Sequence, residues 1–569
     1  MSQERIARQD GSIFAESSTD GFVARAFMRG AGHSADEVRR TPVIGICSSW
    51  SELNPCNGGL NEVVSAVKRG IRGAGGFALS FPTISLSEPF SRPSSMLLRN
   101  LMSMDVEEMI RSSPLDAVVV VGGCDKTVPA QLMGAISAGL PTLAITAGPR
   151  PVGVWKGKPL TIDDLWGMAD ERRCGRVSDD EWQALEGQLI AGFGTCNVMG
   201  TATTMSAIAE VLGFSLPGSS LHPSGSPARS EAAERTGARA VELAREGTPA
   251  AARVTLRSLE NAVRVVCALG GSTNALVHLS AIAGRVGLSL DLTLVSEWVR
   301  TTPLLADVRP TGRFLLSDLD QAGGVPAVMR ELADLLDLTL PAASGRPWHA
   351  EAPPRMAARA GSALHPAAEP ARPGPGIAIV FGSLAPDGAV IKRAAATPGL
   401  LAHTGPAVVF DGVEDLNKRI NDESLHIDEN SVLVLRGVGP VGGPGMPEVG
   451  HLPIPTRLLS AGVTDMVRIS DARMSGTAVG TVLLHVAPES AVGGPLSLVR
   501  DGDLIRLDVD GARLDLLIPE PELDRRRTEL MERAVPRRGY ARLYTQRVLQ
   551  APDGCDFDFL RHETLQQSS

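Results

Sequence analysis

Three cysteines of this 569-residue chain sit in tight Gly- or Pro-flanked turns: Asn-Pro-Cys56-Asn-Gly-Gly, Gly-Gly-Cys124-Asp-Lys and Gly-Thr-Cys196-Asn-Val-Met-Gly. Thiolates converging from distant loops suit a metal centre with one position left open to substrate, because a closed structural site usually takes a fourth protein ligand. The spacing is not diagnostic, and unrelated loop cysteines are the other reading. The run Cys124-Asp125-Lys126 says more: a soft ligand, a hard oxygen ligand and an amine stand together where a buried strand gives way to a helix, the edge at which α/β sheets place their sites. Lys126 is one of six Lys in a chain with 49 Arg, which points to a role that needs an amine. The alternative is a Lys that merely satisfies Asp125 at a helix start.

Further candidates are Glu88 in ISLSEPFSRPSS and Glu448 in VGPVGGPGMPEVG, each of which, taken singly, reads first as a solvated loop carboxylate. Ser475, in VRISDARMSGTAVGT (467–481), needs an activating positive neighbour to serve as a base and otherwise reads as a helix N-cap. Of the remaining cysteines, Cys47 and Cys267 lie in apolar runs and read as core, whereas Cys174 and Cys555 read as surface or loop positions.

The elements that must position these residues follow from hydrophobic patterning. Before residue 340, the runs VIGIC (43–47), DAVVVV (116–121) and TLAIT (142–146) alternate with helical patterns such as LNEVVSAVKRGIRGAG and PAQLMGAISAG, which predicts βαβ units and a parallel sheet with flanking helices over 1–340. Residues 341–376 are Pro- and Ala-rich without apolar period, the signature of a linker or long surface loop. Beyond it the texture turns strand-rich: GIAIVFG (376–382), PAVVFDG (406–412), SVLVLRGVGP (431–440) and DLIRLDVDGARLDLLI (503–518), with Asp510-Gly511 as a hairpin signal. A smaller β-rich, barrel-like domain over 377–569 is expected, carrying Glu448 and Ser475.

Composition excludes several classes. With 43% hydrophobic and 21% charged residues the chain is globular, neither disordered nor fibrous. A net charge of −9 without basic runs argues against nucleic acid as a partner. The longest uncharged stretch, between Glu186 and Glu210, is too polar for a bilayer span, and the charged, polar N-terminus lacks a secretion signal. Seven scattered Cys indicate a reducing compartment, so a cytoplasmic protein is expected.

Taken together, the strings NPCNGGL (54–60), GGCDKTVPAQLMGA (122–135), GTCNVMGTATTM (194–205), GGSTNALVHL (270–279), LAPDGAVIK (384–392), GPGMPEVG (443–450), ISDARMSGTAVGT (469–481) and GCDFDFL (554–560) resemble the dihydroxy-acid and sugar-acid dehydratases, the iron–sulfur hydro-lyases. The resemblance runs through nearly the whole chain. It implies a [2Fe–2S] cluster held by Cys56, Cys124 and Cys196 with one iron lacking a protein ligand. It also implies a Mg²⁺ held by Glu88, Asp125, Glu448 and Lys126, the last carrying CO₂ as an N-carbamate. Only an amine, and not a guanidinium, takes up CO₂, and the carbamate oxygens suit a hard cation. By the same resemblance Ser475 is the base and Thr477 orients substrate or base in dehydrating a small hydroxy acid, and the protein is a homodimer or homotetramer.

Two departures from the resemblance concern the pocket: Ser87 stands where Gly is expected, and Val479 where sugar-acid relatives often carry an aromatic residue. The continuation ISAGLPTLAITAGPR, the string ISDARMSG and the ending RGYARLYTQRVLQAPDGCDFDFL resemble the sugar-acid branch, so an aldonate such as arabinonate or xylonate is the expected substrate. The alternative is the branched dihydroxy acid of valine and isoleucine synthesis. A non-catalytic iron–sulfur carrier would bring a fourth, clustered Cys ligand, and a three-Cys zinc hydrolase would draw on His; a plain α/β binding protein with unligated Cys is the remaining reading.

Overall fold

The computed structural model describes residues 13–353, 361–530 and 536–562. Four strands, β1 (Val43–Ser48), β2 (Phe77–Pro82), β3 (Ala117–Gly122) and β4 (Thr142–Thr146), form an all-parallel sheet in the order β2-β1-β3-β4. Parallel neighbours need crossovers, which the helices Leu60–Gly73, Arg99–Arg111 and Thr127–Ala138 supply.

Alternation along the strands divides the core in two. Ile44, Ile46, Ala117, Val119 and Val121 pack with the helices Leu60–Gly73 and Pro227–Glu246, whereas Val43, Cys47, Val118 and Val120 pack with Met102, Val106 and Ile110 of Arg99–Arg111 and with Val128 and Leu132. Both faces being covered, β3 is buried along its whole length, which is why its sequence carries no polar alternation. The helices on the first face touch backbone to backbone. A Cβ on Gly70 would come within 1.8 Å of Glu234 O, and one on Gly237 within 2.2 Å of Val67 O.

After a short hairpin of β5 (Gly153–Trp155) and β6 (Lys158–Leu160), the remaining strands build the second domain. They are β7 (Ala378–Val380), β8 (Ala389–Ile391), β9 (Ala402–Asp411), β10 (Val432–Arg436), β11 (Arg468–Ser470), β12 (Val482–Leu484), β13 (Leu504–Asp508) and β14 (Arg513–Leu516), in the order β14-β13-β9-β10-β11-β12-β8-β7. The run from β9 to β12 is parallel and the flanks are antiparallel. The two edges meet: Phe381 N donates to Ala512 O at 3.0 Å and Leu514 N to Phe381 O at 2.8 Å, so the sheet closes nearly into a barrel. Val409, Val434, Ile469, Leu483, Ile505 and Leu514 fill one face, and alternate residues Val408, Phe410, Leu433 and Leu435 pack against Leu416 and Leu459 on the other. The expected class, a parallel sheet with flanking helices followed by a β-rich barrel-like domain, is the class observed.

The Pro-rich stretch is held against the first domain. Trp348 is fully buried in its core, and Leu364 and Arg372 bridge to Ala306 and Leu304. Positions 354–360 lie outside the described residues. Cys555 is buried rather than superficial, because residues 554–557 return to the first domain. There Arg99 Nη2 donates to Gly554 O and Cys555 O at 2.8 and 2.9 Å, and Arg285 pairs with Asp556 at 2.6 Å, both side chains without exposure. Cys47 and Cys267 are core residues, and Cys174 is half-buried. Among the described residues no helix is long and apolar enough to cross a membrane.

Candidate active site

The site forms where the carboxyl end of β3 faces the loops of the second domain. Cys124 follows β3 directly and is nearly fully buried, as is Cys56 in the turn after β1. Asn57 links the two turns, its Oδ1 accepting from Cys124 N at 3.2 Å. Gly123 permits that approach, since a Cβ there would sit 2.7 Å from Asn57 Oδ1 and 3.0 Å from Cys56 O. The Cys56 thiol is held below its ordinary range by a hydrogen bond shared with Cys124, helped by Arg150 against the opposing effect of burial. The same bond, with burial, raises Cys124.

Cys196 enters from a third loop, and burial pushes its thiol up to about 12 despite the opposing charge of Arg150. Arg150 ties this loop to the first, with Nη2 donating to Cys56 Sγ at 3.3 Å and to Gly194 O at 2.8 Å, and Nε to Thr195 O at 3.0 Å. It is a buried guanidinium with no carboxylate at ion-pair distance among the described residues. A buried cation of that kind calls for negative charge close by, and the thiols are the groups that can carry it.

Lys126 lies at the centre of the oxygen-rich half. Its side chain is fully buried, and Nζ stands 2.5 Å from Asp125 Oδ2, 3.0 Å from Glu448 Oε1 and 3.4 Å from Glu88 Oε2. Burial and Arg473 work to lower its pKa, but the three carboxylates prevail and hold the ammonium above its ordinary value. Glu88 and Glu448 are therefore not solvated loop carboxylates. Burial works to raise Glu88, but Lys126 and Arg473 outweigh it and hold the carboxyl near 2, whereas burial keeps Glu448 above its usual range. Glu88 also accepts from Ser95 N at 3.2 Å and Ser94 Oγ at 3.3 Å. Arg473 donates to Glu448 Oε1 at 2.7 Å and Ser94 Oγ at 2.9 Å.

Ser475 opens a turn, not a helix, so the N-cap reading fails. Its Oγ is 2.9 Å from Thr477 Oγ1, which also accepts from Trp166 Nε1 at 3.0 Å. Asn274 joins this turn to the carboxylates, Nδ2 donating to Met474 O at 3.0 Å and to Glu448 Oε1 at 2.9 Å. Thr477 lies over the third cysteine turn: a Cβ on Gly200 would be 3.2 Å from Thr477 Cγ2 and 3.9 Å from Cys196 Cβ. Arg150, Asn274, Arg473 and Trp166 were not singled out by residue type. Asn274 and Arg473 stand inside quoted strings, whereas Trp166 stands in none. Of the two departures, Ser87 is buried with its Oγ unpartnered, and Val479 is exposed, its carbonyl accepting from His451 Nε2 at 2.9 Å.

The donor set thus divides into a soft half of three thiols with a guanidinium and a hard half of three carboxylates around an amine. Among the described residues these do not close into a ligand cage by themselves; the Lys126 ammonium supplies the positive charge between the carboxylates. The two halves match the ligand preferences of a thiolate-bound iron cluster and an oxygen-bound divalent cation.

Residues 41–351 match the family model described as dihydroxy-acid/6-phosphogluconate dehydratase N-terminal, and residues 362–555 match its C-terminal counterpart. The L-arabonate dehydratase of Azospirillum brasilense is 45% identical over 98% of both chains. The 6-deoxy-6-sulfo-D-gluconate dehydratase of Pseudomonas putida is 43% identical over 96% of this chain and 95% of its own. A dihydroxy-acid dehydratase of Ignicoccus hospitalis is 38% identical over 93% and 96%, respectively. Two matching models in sequence order and relatives alike from end to end place this chain in the dihydroxy-acid/6-phosphogluconate dehydratase family.

Proposed function

We propose that this protein dehydrates a sugar acid, an aldonate such as arabinonate or xylonate, to a 2-keto-3-deoxy acid. The observation that carries the reading is the juxtaposition made by Asn274, which binds both the backbone before Ser475 and the Glu448 carboxylate beside Lys126. This link supports a reading in which the Ser475 hydroxyl acts as base beside a cation held by Glu448, the pairing that removal of a proton beside a carboxylate requires. Identity of 45% and 43% to two sugar-acid dehydratases, against 38% to a dihydroxy-acid dehydratase, favours the aldonate over the branched acid.

In this reading Cys56, Cys124 and Cys196 hold a [2Fe–2S] cluster, and Glu88, Asp125, Glu448 and a carbamylated Lys126 hold Mg²⁺. When bound, these groups supply Lewis acidity toward the leaving C3 hydroxyl and toward the negative charge that develops as the C2 proton departs. The protein's own residues do the rest. Ser475 Oγ takes the C2 proton, Thr477 holds that oxygen by its 2.9 Å contact, and Trp166 fixes Thr477 in turn. Hydroxyl and indole N–H groups suit a polyol tail better than a methyl or ethyl branch. A homo-oligomer accords with the exposed Phe22 and Phe27 on the helix Thr19–Gly30, and a cytoplasmic location with seven cysteines that are all free.

The test is an assay of aldonates beside 2,3-dihydroxyisovalerate for 2-keto acid formation by iron-loaded protein with Mg²⁺. Turnover of one or more aldonates in preference to the branched acid is expected. Preference for the branched acid would reverse the substrate assignment, and protein that holds zinc and no iron would sink the cluster reading.

A further inference from the structure

Lys392 follows β8 and is buried, with 1% of its surface exposed. Its Nζ donates to Gly476 O at 3.2 Å, and among the described residues no carboxylate lies within ion-pair distance. Burial pushes its pKa down to about 7, offset only in part by the more distant charge of Asp163. A neutral donor would satisfy one carbonyl at far lower desolvation cost, so a lysine here needs a reason beyond that hydrogen bond.

The reason lies at the other end of the same peptide unit. Gly476 C=O and Thr477 N–H belong to one amide, and Thr477 N donates to Ser475 Oγ at 3.4 Å. The amide cannot turn away. A Cβ on Gly476 would meet Thr201 N at 2.7 Å and Ser272 Oγ at 2.9 Å, so the residue is wedged against the start of the helix Thr201–Val211. In its protonated form Lys392 polarises the amide through the Gly476 carbonyl and strengthens its N–H as a donor, the cooperative effect of hydrogen bonds in series.

We propose that Lys392 is a positioning residue that acts through the Gly476–Thr477 amide, making its N–H a stronger donor to Ser475 Oγ and so stabilising that oxygen in its proton-poor form. The inference rests on the reading of Ser475 as the base.

The test compares Lys392→Gln and Lys392→Met with wild type and Ser475→Ala, all as folded, iron-loaded proteins. Measured are kcat, KM and the isotope effect of deuterium at substrate C2. Loss of the charge is expected to lower kcat by about tenfold or more, to leave KM within about twofold, and to enlarge the isotope effect as proton removal becomes limiting. Lys392→Arg, which keeps the charge, should recover part of the loss. Should Lys392→Met not fold, Lys392→Gln carries the comparison, since it keeps a buried donor and loses only the charge. A Lys392→Gln enzyme with unchanged kcat overturns the proposal, as does one whose kcat falls while the isotope effect stays fixed. An active Ser475→Ala enzyme removes the base assignment itself; an inactive one beside an unaffected Lys392→Gln removes only the role of Lys392.

Discussion

Lys126 Nζ and Glu448 Oε1 lie 3.0 Å apart although one residue follows a strand of the first domain and the other sits in a loop of the second. Each domain alone would bury an incomplete charge set. Asp125 stays with Lys126, while Glu448 and Arg473 come only with the barrel. Docking of the two domains and completion of the carboxylate cluster are therefore one event.

Replacement of Lys126 should separate charge from chemistry. In the metal-free protein, where Lys126 is a free ammonium, Lys126→Met leaves three carboxylates without their central cation, and breaking a buried pair of this kind costs about 3–5 kcal/mol, to be read as a lowered denaturation midpoint. Lys126→Arg keeps the charge but has no amine to carbamylate. The expected outcome is a folded protein without turnover that bicarbonate does not rescue, whereas CO₂-depleted wild type is expected to regain turnover when bicarbonate is added.

Arg150 is the cation of the thiol half. Arg150→Leu removes its donation to Cys56 Sγ and its hold on Gly194 and Thr195, so the first and third cysteine turns lose their tie. Loss of a hydrogen bond to a metal-binding side chain weakens metal affinity by about 10–100-fold. Iron content and visible absorbance after gel filtration should both fall, with the secondary structure unchanged by circular dichroism.

For the proton-transfer residues, Ser475→Ala should retain iron and Mg²⁺ but lose about 10²–10⁴-fold in kcat. Trp166→Phe deletes the donor to Thr477 Oγ1 and leaves a smaller aromatic ring in its place. A smaller fall in kcat is expected, measured on the same aldonate.

Acid should destabilise the fold through buried histidines. His278 accepts at Nδ1 from Arg99, a group that only donates, so its ring is neutral in the folded chain and its pKa lies well below the ordinary value through burial and the Arg99 charge. Burial, with Arg473, brings His485 to about 3. The unfolded chain takes up these protons near pH 6.5, so between pH 6.5 and about 3 it binds more protons than the folded one. Stability should then fall with pH by up to about 1.4 kcal/mol per unit for each histidine. Urea midpoints at pH 7.5 and 5.0 check this, and a folded His485→Gln variant should show a shallower dependence.

Much of this architecture was legible because it depends on local pattern. The runs at 43–47, 116–121 and 142–146 were legible as strands because they are short, rich in β-branched residues and bounded by turn residues, and the Cys124-Asp125-Lys126 turn stands out by chemistry alone. What escaped depends on tertiary placement. The three-residue strands β8, β11 and β12 are too short to show a period. Arg150 and Arg473 are two of 49 Arg, and only burial beside thiols or carboxylates distinguishes them. Cys555, in a Gly turn near the tail, becomes core because Arg99, a residue more than 450 positions earlier, binds its carbonyl.

That return of residues 554–557 has a consequence for synthesis. Arg99 and Arg285 belong to the first domain, yet the carbonyls and the Asp556 carboxylate that bind them leave the ribosome only after the strands of both domains have been made. Until then Arg99 has Asn100 and His278, and Arg285 has Ser103, Ser137 and the more distant Glu107, without the carbonyls and the close carboxylate that complete their burial. A chain cut before Gly554 would present the same defect permanently, an open seam in the first domain beside Arg99 and Arg285.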